Sequence, residues 1–214
     1  MKIKRQGLLL LFGIALIMAF VTITVLLTAS QDLSRTLVRL LGLYGFVLVC
    51  IAASITPFLK EVSQFFGRSF LKIHHFFALF GLAFISLHPV SLAIGLMNAS
   101  VFLPRFDSWI IFWQLAGRPA LIVLYIALFA VFLRRKAPKH WRILHALMYL
   151  AILLGIVHGN LIGSDFENFP LMIILNTLAA VSLVAFFLKR YQNYRIQMKV
   201  KEIKARQNTK IASK

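Results

Sequence analysis

The sequence predicts an all-α membrane protein, a six-transmembrane-helix bundle with both termini in the cytoplasm. Three observations predict it. Of the 214 residues, 60% are hydrophobic and the mean hydropathy is +0.85, whereas a soluble domain is roughly half apolar. The excess falls in blocks of roughly 20 residues, long enough to cross about 30 Å of hydrocarbon. Lysine and arginine gather in alternate links, as they do in cytoplasmic loops.

Residues 7–28 form the first span, behind Lys2, Lys4 and Arg5. A cleaved signal peptide is the competing reading, but its apolar core runs only about 7–15 residues, so a retained helix is expected. The second span covers 36–57. Arg39 lies near its first turn, within snorkelling reach of the headgroups. Thr56-Pro57 closes it, because the residue before proline is pushed out of helical geometry. A polar link with Lys60, Glu61 and Arg68 leads to the third span, 70–96. Pro104, Arg105 and Asp107 mark a loop, and Trp109 and Trp113 are the aromatic type that settles at the water–lipid boundary. Residues 107–117 therefore read as an interfacial segment. The fourth span starts at Pro119, a proline at the first helical position, and ends at Leu133. A start at Trp109 is the alternative and would sink Arg118 deeper. Arg134, Arg135, Lys136, Pro138 and Lys139 make the next turn. The fifth span covers 140–162, an acidic loop carries Asp165 and Glu167, and the sixth covers 169–188. The chain thus divides into a first helix with its flanks (1–34), a helical core (35–190) and a basic cytoplasmic tail (191–214).

Of the 24 basic residues, 20 lie in the N-terminus, the 2–3 and 4–5 links and the tail, with Lys72 and Arg142 counted with the links and Lys189 and Arg190 with the tail. The other links hold Arg35, Arg39 and Arg105 against Asp32, Asp107, Asp165 and Glu167, with Arg118 at the head of the fourth span. The net charge of +18 is therefore read as a topology signal and a source of contact with membrane lipid, not as a nucleic-acid footprint. A multi-pass protein of the inner (plasma) membrane is expected. The single cysteine, Cys50, permits no internal disulfide, no CxxCH attachment and no cysteine-ligated cluster.

Ionisable side chains inside a bilayer are costly and mark function by default. The third span carries His74 and His88, the fifth His145 and His158. Both spans run in the same direction, so their histidines pair by depth: His74 with His145, and His88 with His158. Separations of 14 and 13 residues place the two levels about 20 Å apart at 1.5 Å per residue. Fourteen steps return to nearly the same helix face. Thirteen miss by about 140°, so either tilt, supercoiling or a distortion near Gly155 realigns the second pair, or the two porphyrins are turned relative to each other. Two imidazoles per level suit the axial positions of a haem iron, and bis-histidine ligation suits electron transfer. Haem b, two per chain, is the expected cofactor, with His74, His88, His145 and His158 as iron ligands. The plain alternative is a helix–helix hydrogen bond at each histidine. Zinc and di-iron sites use tighter clusters such as HExxH or Glu-x-x-His, and none occurs. Gly81, Ala83, Gly155 and Gly159 remove bulk near the proposed cofactors, and Phe76, Phe77, Phe80, Phe84 and Tyr149 are candidate lining.

Further candidates surround these four. Arg118 can hold an anionic haem propionate through its guanidinium fork, or simply a lipid headgroup; Lys72 and Arg142 present the same choice at the inner level. His75 points about 100° away from His74 and is either a substitute ligand or an interfacial residue. His140 and Trp141 anchor the cytoplasmic boundary or serve electron uptake there. The tail is a solvated or lipid-surface segment, with docking of an acidic flavoprotein as the sharper alternative.

This pattern resembles the ferric reductase-like transmembrane domain, shared by ferric reductases, NADPH oxidases and the MsrQ family of haem-binding membrane subunits of methionine sulfoxide reductase systems. The 14- and 13-residue spacings match the oxidase-like pattern. Ile55-Thr56-Pro57, Arg118-Pro119, and Lys139-His140-Trp141 followed by Leu144-His145 are similar to MsrQ. The resemblance covers roughly 36–190 and implies a six-helix bundle with haem histidines on its third and fifth helices. One departure stands out: His74 occupies the place where MsrQ proteins tend to carry arginine, which favours two full haem sites and leaves the acceptor open.

With no GxGxxG and no nucleotide-binding domain, the chain cannot itself take hydride from a nicotinamide. A separate flavin reductase or quinol donor is expected, with FMN or a quinone as the accompanying cofactor, and ferric ion, oxygen or a periplasmic reductase as acceptor. Two other classes compete: a transporter whose histidines relay protons, and a non-catalytic membrane scaffold.

Overall fold

The computed structural model describes residues 3–28, 32–137 and 140–212; Lys2, Pro138 and Lys139, named above, lie outside them. The described residues are helical, without strands. The helices are α1 (Arg5–Leu27), α2 (Leu33–Ser54), α3 (Leu59–Phe66), α4 (Phe70–Leu96), α5 (Trp109–Gln114), α6 (Gly117–Phe132), α7 (Trp141–His145), α8 (Leu147–Ile162) and α9 (Phe169–Ala212). Short 3₁₀ turns occupy Ala99–Phe102 and Ser164–Glu167. Five segments are long and apolar enough to cross a membrane: α1, α2, α4, α7 with α8, and the first 35 residues of α9.

The predicted fourth span is the exception. It forms α6, whose 16 residues fall short of the roughly 20 that a full crossing takes. Ser108 caps α5 by accepting from Ile111 N at 3.2 Å, and the chain turns at Leu115-Ala116 before α6 begins. The polar link after the second span is also more ordered than expected. It forms α3, which buries Val62 and Phe66 and ends at Gly67, whose φ of 61° favours glycine. The helix that carries the sixth span does not stop at Leu188. Lysine, arginine, glutamine and methionine are good helix formers, and α9 continues for 44 residues, about 66 Å at 1.5 Å per residue.

Helix α2 is the hub and packs against α1, α4, α8 and α9. Asp32 starts it, accepting from Ser34 N and Arg35 N. Its closest neighbour is α4, and two glycines set that approach. A Cβ on Gly45 would lie 2.6 Å from Ile85 N, and one on Gly81 would lie 2.9 Å from Val49 N. Small residues at such crossings let apolar helices touch backbone to backbone. On the other side, Ser182 of α9 is fully buried and donates to Cys50 O (3.0 Å) or Leu178 O (2.8 Å), with Ser54 Oγ 3.1 Å away. Tyr44 and Thr22 hydrogen-bond α2 to α1. The outward faces carry exposed Leu8, Phe12, Leu79, Phe129 and Val184, as expected of surfaces bathed in lipid chains.

Candidate functional site

The four histidines come together in two pairs. At the first level, His74 of α4 and His145 of α7 have ring centroids 6.5 Å apart and planes 75° apart. One metal ion held between two imidazole nitrogens at about 2 Å each would put the ring centres roughly 6.3 Å apart, counting about 1.1 Å from each nitrogen to its ring centre. At the second level, His88 of α4 and His158 of α8 line one cavity of about 370 Å³, within the usual range for cofactor sites.

Each ring is held the same way. His74 Nδ1 lies 3.1 Å from Ala52 O, His88 Nδ1 2.8 Å from Val38 O, His145 Nδ1 2.9 Å from Ala127 O and His158 Nδ1 2.6 Å from Gln114 O. A carbonyl only accepts, so each Nδ1 carries the proton. In the neutral ring each Nε2 then presents a lone pair. None of the four Nε2 atoms has a hydrogen-bond partner among the described residues. Metal-ligating histidines almost always donate their other ring N–H to a carbonyl, carboxylate or water.

The sequence supplies those carbonyls by local means. Pro57 has no N–H and ends α2; the N–H of Thr56 turns to Ala53 O at 3.2 Å, which leaves Ala52 O for His74. The turn between α5 and α6 does the same. Ala116 N bonds Trp113 O and Arg118 N bonds Leu115 O, leaving Gln114 O for His158. Two glycines seat the second-level rings. A Cβ on Gly42 would lie 2.8 Å from His88 Nδ1, and one on Gly117 would lie 2.7 Å from His158 Cδ2.

Between His145 and His158 the helix breaks at Ala146, directly after His145, and it is continuous through Gly155. Tyr149 N bonds Ala146 O at 3.1 Å, a tightened turn. On α4, Pro89 follows His88 inside the helix; proline removes one helical hydrogen bond and bends the axis.

None of the expected aromatics lines the second-level cavity. Phe76 and Phe80 are exposed, Phe77 is in the core, Phe84 packs on Tyr44, and Tyr149 bonds Thr56 at 3.2 Å and packs on Phe186. The aromatic walls of the second-level cavity are Phe46 and Phe166. Gly155 and Gly159 line it, whereas Gly81 serves the α2–α4 crossing and Ala83 is exposed. Arg118 also lines it, and its Nη1 donates to Ser100 O (3.0 Å) and Leu103 O (2.9 Å). His75, His140, Lys72 and Arg142 are exposed; Arg142 lies over the Trp141 ring at 5.7 Å.

One feature on the cavity wall has no counterpart in the sequence reading. Arg39 is bonded to Asp165 at 2.6 Å through Nη2 and at 3.1 Å through Nε, and neither side chain is well exposed (18% and 7%). Among the described residues no group of three or more His, Cys, Asp or Glu is placed to hold a metal ion, so the donors here are pairs. A porphyrin supplies four nitrogens of its own and asks the protein for only these two. The apolar cavity, the glycine seats and the free Nε2 lone pairs fit that group. Comparison of the chain with known protein families, with curated proteins and with solved structures found no match.

Proposed function

We propose that the chain is a haem b-binding integral membrane electron-transfer protein of the ferric reductase-like type, with MsrQ-like character. The observation that carries the reading is the paired histidines, every one with its Nδ1 proton given to a helix carbonyl and its Nε2 left free. His74 with His145 would hold one haem, and His88 with His158 a second; bound there, haem b supplies one-electron transfer. The protein's own part is positional. Carbonyls of Ala52, Ala127, Val38 and Gln114 fix ring orientation and raise ligand basicity. Phe46, Phe166 and the aliphatic wall keep the second level dry. In this reading the short α6 is the fourth of six crossings, both termini are cytoplasmic and the His74–His145 level faces the cytoplasmic side of the inner membrane, a topology supported by where the basic residues gather. A separate flavin reductase or quinol donor then reduces the protein from that side. The acceptor, ferric ion, oxygen or a periplasmic reductase, lies on the other.

A pyridine haemochrome assay on the purified protein tests this. Close to two b-type haems per chain are expected. His88→Ala and His158→Ala should each lose the same haem and leave the other. A wild-type chain purified without haem from haem-replete cells refutes the proposal and favours the proton-relay transporter.

A further inference from the structure

The strongest feature that haem ligation does not explain is the ion pair on the second-level wall. Arg39 lies beside Val38, whose carbonyl holds His88. Asp165 sits in the turn between α8 and α9, beside Phe166, whose ring presses on Gly159 next to His158: a Cβ on Gly159 would lie 2.5 Å from Phe166 Cε2, and Gly163 N donates to Gly159 O at 2.8 Å. Arg39 also donates to Thr28 O (3.2 Å) and Thr28 Oγ1 (2.5 Å). One guanidinium therefore ties α1, α2 and the α8–α9 turn together across the rim of a cavity that it and Asp165 help line.

We infer that Arg39 and Asp165 are a positioning pair for the second-level site, closing its rim and setting the electrostatic potential felt at its centre. The inference rests on the haem reading. A partly buried guanidinium and carboxylate in a bidentate fork are both charged and nearly cancel at a distance. In a medium of low polarity an unpaired charge acts over a longer range than in water. Groups around a metal site tune its redox potential in this way. Removing the carboxylate leaves the guanidinium cation uncompensated, which favours the reduced centre. Removing the cation leaves the carboxylate, which favours the oxidised one. A purely structural tie gives shifts without that opposition of sign.

The test uses the full-length protein in lipid nanodiscs, titrated optically. The second-level transition is identified by its loss in His158→Ala. Asp165→Asn is expected to raise its midpoint potential and Arg39→Gln to lower it, with Arg39→Gln/Asp165→Asn returning toward wild type. The first-level transition, about 20 Å away along the helices, should stay put in all three. Arg39→Lys keeps the charge and loses the fork, and it stands in if Arg39→Gln fails to fold; its potential should remain near wild type. A second readout needs no haem. Amide exchange in residues 163–168 should accelerate on the order of tenfold or more in Arg39→Lys, because the fork that pins the turn is gone. Shifts of the same sign in Asp165→Asn and Arg39→Gln, or no shift in either, overturn the electrostatic role. Unchanged exchange overturns the rim closure. A wild-type chain without haem instead refutes the proposed function, and the exchange result still decides whether the pair holds the turn.

Discussion

Gly117→Ala is the sharpest test of the second-level geometry. The new methyl would sit 2.7 Å from His158 Cδ2 and 2.9 Å from Nε2. Carbon atoms rest about 3.5–4.0 Å apart, so the ring has to retreat by roughly 1 Å. Its anchor cannot follow. Nδ1 is 2.6 Å from Gln114 O, and a retreat of that size takes the hydrogen bond beyond about 3.5 Å, where it ceases to count. Overpacking costs about 1–3 kcal/mol and the lost bond about 0.5–1.5 kcal/mol. Disturbing a partner behind a metal ligand typically costs about 10–100-fold in affinity. The expected phenotype is a folded protein with one haem depleted or weakly held, and an altered low-spin signal for that site in electron paramagnetic resonance. Gly13→Ala is the reference, since nothing lies within 4 Å of the added atom. Wild-type haem content and an unchanged signal in Gly117→Ala would show that the ring is not seated against α6, and the argument from close approach would fail.

The remaining predictions concern the scaffold and the other rings. Gly45→Ala places a Cβ 2.6 Å from Ile85 N, a backbone atom that cannot rotate away. It should lower the thermal midpoint by the equivalent of about 2 kcal/mol or more, read by a dye or light-scattering melt in detergent. Ser182→Ala removes a buried hydroxyl that bridges α9 to Cys50 O and should cost about 0.6–1.7 kcal/mol, the range for hydrogen bonds between membrane helices. Asn160 and Asn176 exchange two amide bonds of 3.1 Å between α8 and α9, so a double-mutant cycle with alanine should show coupling of about 0.6 kcal/mol; additive effects would deny the pair.

Residue counts alone match the histidines by depth, and the fold brings His74 to His145 and sets His88 and His158 on one cavity. His74 of α4 and His145 of α7 meet ring to ring at 6.5 Å, while α2 packs against both α4 and α8. What the counts could not locate was the interruption at Ala146. Alanine is the best helix former and gives no local sign of a break. Both α7 and α8 pack against α6, a tertiary contact that no local pattern reports. Arg39 and Asp165 were read as a snorkelling cation and a solvated loop acid because 126 residues separate them, and no local pattern pairs them. The aromatic walls of the second-level cavity were missed for a similar reason. On α4, Phe76 and Phe80 turn outward, Phe77 enters the core and Phe84 packs on Tyr44, while Phe46 and Phe166 reach the second-level cavity from other elements. Gly42 and Gly117 carried a faint signal as small residues in apolar helices, but only the rings opposite them give it meaning.

The way each ring is anchored bears on how the two levels arose from one arrangement. In each pair one histidine uses a carbonyl freed by a helix end, Ala52 O for His74 and Gln114 O for His158. The other uses a carbonyl inside a helix, Val38 O for His88 and Ala127 O for His145. A carbonyl has two lone pairs, so an in-helix oxygen can serve its own backbone and a ring together. A freed oxygen has none of that competition. The two ends of α2 thus treat α4 differently: a ring against mid-helix backbone at Gly42, and a ring against the unravelled end at Thr56-Pro57. Helices α5 and α6 repeat this for α7 and α8 with the levels exchanged, the freed carbonyl now at the second level. Every level therefore receives one anchor of each kind, one from the α2 side and one from the α5–α6 side. Thr56-Pro57 and the Leu115-Ala116 turn are then functional breaks in the scaffold. Pro57→Ala should let α2 extend, return Ala52 O to a backbone N–H and loosen His74 alone. Loss of ordering at His88 in that variant would contradict the division of labour, because Val38 lies far up the same helix, beyond reach of its end.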